Sequence, residues 1–419
     1  MPRMPVNELT RKIAGLEARL NKKPKVKGAR VMADIDTAPN TYFLRRPSGI
    51  IGLDIDTGGG LPAGGLTYLS GPDGTGKTFL LYKYLAMNQR LYGKQSAQVL
   101  AVSEAAPDHF WMRRCGVQLA IPEEMIAERV DELKRRGLPS FTKEDLKSLR
   151  TDTVGELKIL RGATGEELLE SMLKCFEAKC FDLICLDSVS ACLPEADAMK
   201  DLDEPAKRAA AAGMLTRFFQ HYLNGTTGYY GPNPTTVIFT AQVRANNKKA
   251  EAMAHIQKFL PDYAAMGAWA AKHGKLIDIL VKPGSKEREV VKGVGPAAEA
   301  EEKEKQKQKK VAVSKTVNYE IMKGKAGVHD GVTGEFDFHF EKLTEDQKMI
   351  VEALVQQGIA AADDGYITVY NPTTMEPLEG LKKLAGVDRL VDMMKADFEL
   401  ELLLRRMLLT AAGVQCAYR

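Results

Sequence analysis

The sequence predicts an α/β fold. Its core is a mostly parallel sheet with helices on both faces and an antiparallel extension, flanked by an N-terminal helix and a small C-terminal α+β domain. Three observations lead there. Short apolar, β-rich runs alternate with helical stretches through the centre of the chain, a glycine-rich loop joins one such run to a helix, and the runs after about residue 270 follow one another without strong helices. At 419 residues, 44% hydrophobic and 27% charged, the chain can bury a large core, is long enough for two or three domains and is too apolar to be disordered throughout.

Taken in order, Leu9, Ile13, Leu16 and Leu20 fall on one helical stripe behind a candidate N-cap at Asn7, and such a stripe needs a partner surface. Between residues 18 and 30 stand Arg19, Lys22, Lys23, Lys25, Lys27 and Arg30 with no acid, a run equally suited to a phosphate backbone and to a solvated linker. The predicted strands are LTYLS (66–70), AQVLAVS (97–103), LKIL (157–160), DLICLD (182–187), TTVIFT (235–240), LIDILVK (276–282), TVNYEIMK (316–323) and FDFHFE (336–341). Two inserts interrupt them: a charged helical hairpin at 122–150 and a solvated arm at 297–310. After Lys342 the chain turns helical, with a small hairpin expected at GYITVYNPTT (365–374) and an apolar last helix, ADFELELLLRRMLL.

Several classes are disfavoured. No run of about 18 apolar residues occurs and MPRMPVNELTRK has no signal-type apolar stretch, so a soluble, non-secreted protein is expected. The six cysteines (115, 175, 180, 185, 192 and 416) form no C-x-x-C pair and have no matching His spacing, so buried, reduced thiols in a reducing cytosol are expected rather than a zinc or redox site. A balance of 59 Lys+Arg against 55 Asp+Glu, net +4, is too mild to mark a nucleic-acid binder by itself.

The sharpest chemical signal is the run Gly71, Pro72, Asp73, Gly74, Thr75, Gly76, Lys77, Thr78, a full G-x-x-x-x-G-K-T between a strand and a helix. Small residues let backbone N–H groups curl round a polyphosphate, the lysine neutralises its outer oxygens, and the threonine hydroxyl suits Mg²⁺. Asp187 closes an apolar strand about a hundred residues later, where a carboxylate would help hold that ion; alone, an Asp at a strand end is ordinary. Glu104 closes the strand predicted at 97–103, where it would polarise an attacking water or simply begin a helix in solvent.

The segment SGIIGLDIDTGGGLPAGGLTYLSGPDGTGKTFLL resembles the RecA family of ATP-dependent recombinases, including its phage UvsX-like members, and the likeness runs over about residues 45 to 341. SEAAPDHFWMRRCGV is similar to the stretch bearing the family's catalytic glutamate, which implies that role for Glu104, adenine contact for Asp108 and base stacking for Trp111. LDSVSACLPEA looks like the Mg²⁺ strand leading to a first DNA loop, about 196–208, here of mixed charge. TTVIFTAQVR is similar to the strand whose glutamine, here Gln242, senses the γ-phosphate and opens a second DNA loop. In that loop (244–263) Arg244, Lys248, Lys249 and Lys258 suit phosphates, and Phe259 or Tyr263 suits stacking on a base or core packing. YEIMKGKAG carries Lys323 and Lys325 in the K-x-K spacing of the lysines that reach the ATP of an adjacent RecA protomer.

The resemblance implies three regions: 1–40 as an N-terminal helix and basic linker for oligomerisation, 41–342 as the ATPase core with DNA loops, and 343–419 as a helical domain for duplex DNA. It further implies ATP and Mg²⁺ as cofactors, single- and double-stranded DNA and further copies of the chain as partners, and the cytosol of a bacterium or phage-infected host as the location. The expected activity is a DNA-dependent ATPase that forms filaments on single-stranded DNA and catalyses homologous pairing and strand exchange. A ring-forming helicase or motor of the same superfamily, and an ATP-binding DNA coat or mediator that exchanges no strands, share the same core motifs.

Overall fold

The computed structural model describes residues 44–104, 107–119, 155–198, 208–225, 234–245, 263–265, 274–290, 310–340 and 343–414, with isolated positions at Arg11, Ala18 and Arg135. The N-terminal stripe and basic run, nearly all of the 122–150 insert, residues 199–207 of the first candidate DNA loop and the arm up to 309 lie outside the described residues.

The chain enters through β1 (Arg45–Arg46), which pairs antiparallel with β2 (Leu61–Pro62) across the short helix α1 (Ile51–Asp56). The central sheet is built from β3 (Leu66–Gly71), β4 (Ala97–Val102), β5 (Glu156–Leu160), β6 (Leu183–Asp187), β7 (Thr236–Ala245), β8 (Tyr263–Ala265), β9 (Ile277–Val290), β10 (Lys310–Lys323) and β11 (Thr333–His339). Their order across it is β11-β10-β9-β3-β7-β6-β4-β5, with β8 attached to β7. From β9 to β5 neighbouring strands run parallel, whereas β9, β10 and β11 pair antiparallel. The expected parallel core with an antiparallel extension is therefore present. The β9 and β10 strands exceed the predicted runs: their continuations, PGSKEREV and KVAVS, pair with each other.

Alternation along the parallel strands explains why they are apolar throughout. Leu69, Leu100, Leu183, Cys185 and Ile238 join one buried cluster, beneath α2 (Lys77–Tyr92), and Tyr68, Val99, Ile184, Leu186 and Phe239 join the other. Successive side chains point to opposite faces, so a strand covered on both sides must be apolar at every position. The second face is covered by α4 (Gly165–Glu177) and α6 (Arg208–Gly225), which contribute Leu168, Leu169, Met172 and Phe176, and Met214, Leu215, Phe218, Phe219 and Tyr222. In α4 these apolar residues recur at helical spacing, and the Thr164 hydroxyl caps its start by accepting from Glu167 N. Between them in sequence lie α3 (His109–Arg114), ahead of α4, and the one-turn α5 (Glu195–Ala198).

A third cluster gathers α7 (Asp346–Gln356), the small sheet β12 (Ala360–Asp363), β13 (Tyr366–Val369) and β14 (Leu384–Ala385), α8 (Gly386–Ala396) and α9 (Phe398–Ala411). Its hairpin pairs 360–363 with 366–369, turning at Asp364-Gly365, so the expected hairpin at 365–374 is displaced: GYITVY supplies its second strand. Ile51 of α1 enters the same cluster and fastens it to the core. Of the described cysteines, Cys115, Cys185 and Cys192 are buried, but Cys175 is only partly covered and Cys180 is exposed. No described helix is long and apolar enough to cross a membrane.

Candidate nucleotide site

Four parallel strands deliver the site to one edge of the sheet. Gly71 ends β3 and stands in register with Gln242 of β7; Asp187 ends β6 in register with Val102 of β4, and Glu104 follows two residues beyond it. Open parallel sheets bind ligands at this carboxyl edge.

The loop from Gly71 to Thr78 is shaped by its glycines. A Cβ on Gly71 would lie 2.4 Å from the Val281 carbonyl oxygen of β9, and Gly76 takes a φ of 113° as it caps α2. Lys77 Nζ donates to the carbonyl oxygens of Gly71 and Pro72 at 2.9 and 2.7 Å, holding the ammonium over the loop. Burial pushes this lysine below its ordinary range, opposed by Asp73, Asp187 and Glu104, so its charge is supported by three carboxylates around the loop.

Thr78 Oγ1 donates to Asp187 Oδ2 at 2.8 Å, and the Thr240 hydroxyl donates to the other carboxylate oxygen. Even so, burial raises Asp187 above the usual carboxylate range, with Glu104 adding to the shift. The peptide bond from Asp187 to Ser188 is cis. The Ser188 hydroxyl donates to Glu104 Oε1 at 2.5 Å, and Ser103 Oγ donates to Ser188 O. Ser190 Oγ accepts from the backbone N–H of Gln242 at 2.8 Å, linking β7 to the turn after β6.

An aromatic end adjoins the phosphate loop. Trp111 of α3 meets Phe338 of β11 edge to face at 5.9 Å, Phe340 stacks perpendicular to Phe338, and these rings share a cleft of about 250 Å³ with Gly74, Gly76, Thr78 and Lys315. Arg114 lies 5.5 Å over the Trp111 ring and donates to Phe340 O, fixing α3 against β11. Asp108 serves here as the N-cap of α3, accepting from Phe110 N at 2.9 Å and Trp111 N at 3.2 Å. The structure thus brings Lys77, Thr78, Asp187, Glu104 and Gln242 to one edge and places Trp111 in the cleft. Lys323 and Lys325 stand elsewhere: Lys323 pairs with Asp278, which pairs with Tyr68 three residues before Gly71, so both lysines follow the opposite end of β3. The backbone of Arg244 belongs to β7, but its side chain, with Lys248, Lys249, Lys258 and Phe259, lies outside the described residues.

Sequence reasoning missed Phe338, Phe340, Lys315, Thr240 and Ser188. A signal existed for the rings, since Phe336, Phe338 and Phe340 alternate and therefore share a face. Among the described residues no three His, Cys, Asp or Glu side chains cluster as a metal centre. The hydroxyl and carboxylate of Thr78 and Asp187 fit a hard cation of the Mg²⁺ type, which takes few protein oxygens and keeps water and phosphate in its remaining positions.

Comparison with known proteins agrees with this geometry. Residues 46–199 match the family described as "ATPase: KaiC". The chain is 29% identical over 199 residues to the protein RecA of Solidesulfovibrio magneticus, covering 47% of this chain and 44% of that one. It is 29% identical over 219 residues to the RecA of Desulfovibrio desulfuricans (52% and 48%), and 26% identical over 199 residues to that of Chloroflexus aurantiacus (47% and 44%). The matches span about half the length of these relatives. At its centre the chain has a RecA-like α/β fold that carries a phosphate loop, and there it is similar to the KaiC-type ATPases and to RecA.

Proposed function

We propose that the chain is a DNA-dependent ATPase that polymerises on single-stranded DNA and catalyses homologous pairing and strand exchange. The observation that carries this reading is the separation of two lysine sets. Lys77 lies over its own phosphate loop, whereas Lys323 and Lys325 stand toward the far end of the same strands, suited to a nucleotide held by the next copy. ATP would then sit between protomers and couple its state to filament geometry. Within one chain, Thr78 and Asp187 hold the metal, Lys77 neutralises phosphate charge, and Glu104, oriented by the Ser188 hydroxyl, polarises the attacking water. Magnesium, when bound, supplies charge neutralisation on the phosphate oxygens. Lys323 and Lys325 of the neighbour stabilise charge developing on the transferred phosphoryl group.

Gln242 reads the γ-phosphate from β7, the strand that runs on toward Arg244, Lys248, Lys249, Lys258 and Phe259, our candidates for contact with DNA. Residues 1–40 would join protomers, 41–342 form the catalytic core and 343–419 gather duplex DNA.

The test is strand exchange between homologous single-stranded and duplex DNA, paired with electron microscopy of the filaments. ATP-dependent exchange is expected, and the E104Q variant should form filaments while losing ATP turnover. Filaments without exchange, or closed rings in place of filaments, would overturn the recombinase reading.

A further inference from the structure

A second lysine stands in the cleft. Lys315 of β10 donates from Nζ to Gly74 O, on the phosphate loop, at 2.9 Å, and its ammonium lies 5.3 Å from the centroid of the Phe338 ring. It thus spans the gap between the phosphate end of the cleft and its aromatic end. Other lysines on or beside β9 are neutralised differently: Lys282 pairs with Glu320 and Lys275, just before the strand, with Asp278. The acceptor of Lys315 is instead an uncharged carbonyl of the loop. Its register partner on β9 is Lys286, and like charges directly opposite in an antiparallel pair are unfavourable. Burial, and then Lys286, push the Lys315 ammonium below its ordinary range. A cation held half-buried beside a like charge and a phosphate loop is relieved by an anion.

We propose that Lys315 is a second cation of the nucleotide site, gripping the phosphate–ribose span that ATP and ADP share and so governing retention of both nucleotides. A γ-phosphate sensor would act on ATP alone. The proposal rests on reading the cleft as the nucleotide site, and the two fail differently. If the wild-type chain displaces no fluorescent ADP analogue on addition of ATP or ADP, the reading of the cleft fails. If it does so and Lys315 is irrelevant, only the present inference fails.

The experiment measures ATP and ADP affinity by such displacement in the full chain, for wild type, K315M, K315Q and K315R. A charge-assisted contact is worth about 1.4 kcal/mol or more, hence about tenfold weaker binding of both nucleotides in K315M. K315Q keeps an amide able to reach Gly74 O and loses only the charge, so it should weaken binding as K315M does; K315R should restore most of it. Without nucleotide, K315M and K315Q should unfold at or above the wild-type temperature, because the repulsion from Lys286 is gone. Wild-type ADP affinity in K315M or K315Q, or a loss confined to ATP, would overturn the proposal.

Discussion

Asp187 illustrates how this site stores unfavourable chemistry in one side chain. Its carboxylate accepts from two hydroxyls, Thr78 and Thr240, yet burial keeps its pKa above the ordinary value. A folded-state pKa above the unfolded one means that the folded chain holds the proton more tightly, so the ionised group opposes folding once the pH exceeds the unfolded value. A bound cation reverses that preference by favouring the carboxylate. Replacing Asp187 with Asn removes the buried charge and keeps an oxygen that accepts from a hydroxyl. D187N should therefore unfold at the same or a higher temperature than wild type without ligands, and should lose the stabilisation that Mg²⁺ with ATP gives the wild type. Thermal unfolding with and without Mg²⁺ and ATP checks both halves; a large destabilisation of the ligand-free variant would show that the Thr78 and Thr240 contacts outweigh the burial of charge.

At the scale of elements, α3 carries the aromatic side of the cleft on only six residues, and it depends on its cap. Asp108 Oδ1 receives two backbone N–H groups that such a helix otherwise leaves without acceptors, a contact worth about 1 kcal/mol. D108A should release that stabilisation and loosen Trp111, weakening ATP and GTP alike, while D108S should restore the cap. If Asp108 instead recognises adenine, D108S will bind ATP as poorly as D108A and discriminate less against GTP; nucleotide competition separates the outcomes. The sequence did not announce this cap: the resemblance implied adenine contact for Asp108, and the capping contacts are seen only in the fold. The G-x-x-x-x-G-K-T run, Asp187 at a strand end and the continuous apolar strands are local patterns, and each lies where it was expected. Lys315 and Phe338 reach the cleft only because β10 and β11 fold antiparallel onto β9, and Lys315 meets Gly74 across 241 positions of sequence. The hairpin was displaced because its first strand, AAAD, carries no β-branched or aromatic residue, so only its second strand announces itself.

Among the described residues, buried ion pairs tie the C-terminal elements to the core. Arg405 of α9 is 1% exposed; it pairs with Glu401 at 2.9 Å and Asp54 of α1 at 3.6 Å, and donates to Gly49 O at 2.6 Å. Glu401 also receives Arg90 of α2 at 2.8 Å, and Lys83, on the same helix, pairs with Asp346 of α7. The helix that begins at the phosphate loop is thereby anchored, about two turns and about three and a half turns on, to the C-terminal elements. Removing one partner of a buried network leaves uncompensated charge, which costs about 3 to 5 kcal/mol. R405M should lower unfolding free energy by about that amount at pH 7, because Asp54 and Glu401 would both stay buried without their guanidinium partner. Acid should narrow the gap. Burial already raises Asp54 to about 6 from 3.8, so the folded chain takes up a proton between about pH 4 and 6 and the Asp54 contribution favours folding more as pH falls through that window. Glu401 behaves oppositely in the wild type: burial pushes it up, but Arg405 and Arg90 outweigh that and hold it below 4.5, so its stabilisation is lost only at lower pH. Without Arg405 both acids protonate more readily, and the difference between wild type and R405M should shrink steadily from pH 7 to pH 5. Urea unfolding followed by circular dichroism at the two values checks this; an equal difference at both would mean that Arg405 acts through packing and the Gly49 carbonyl rather than through its charge.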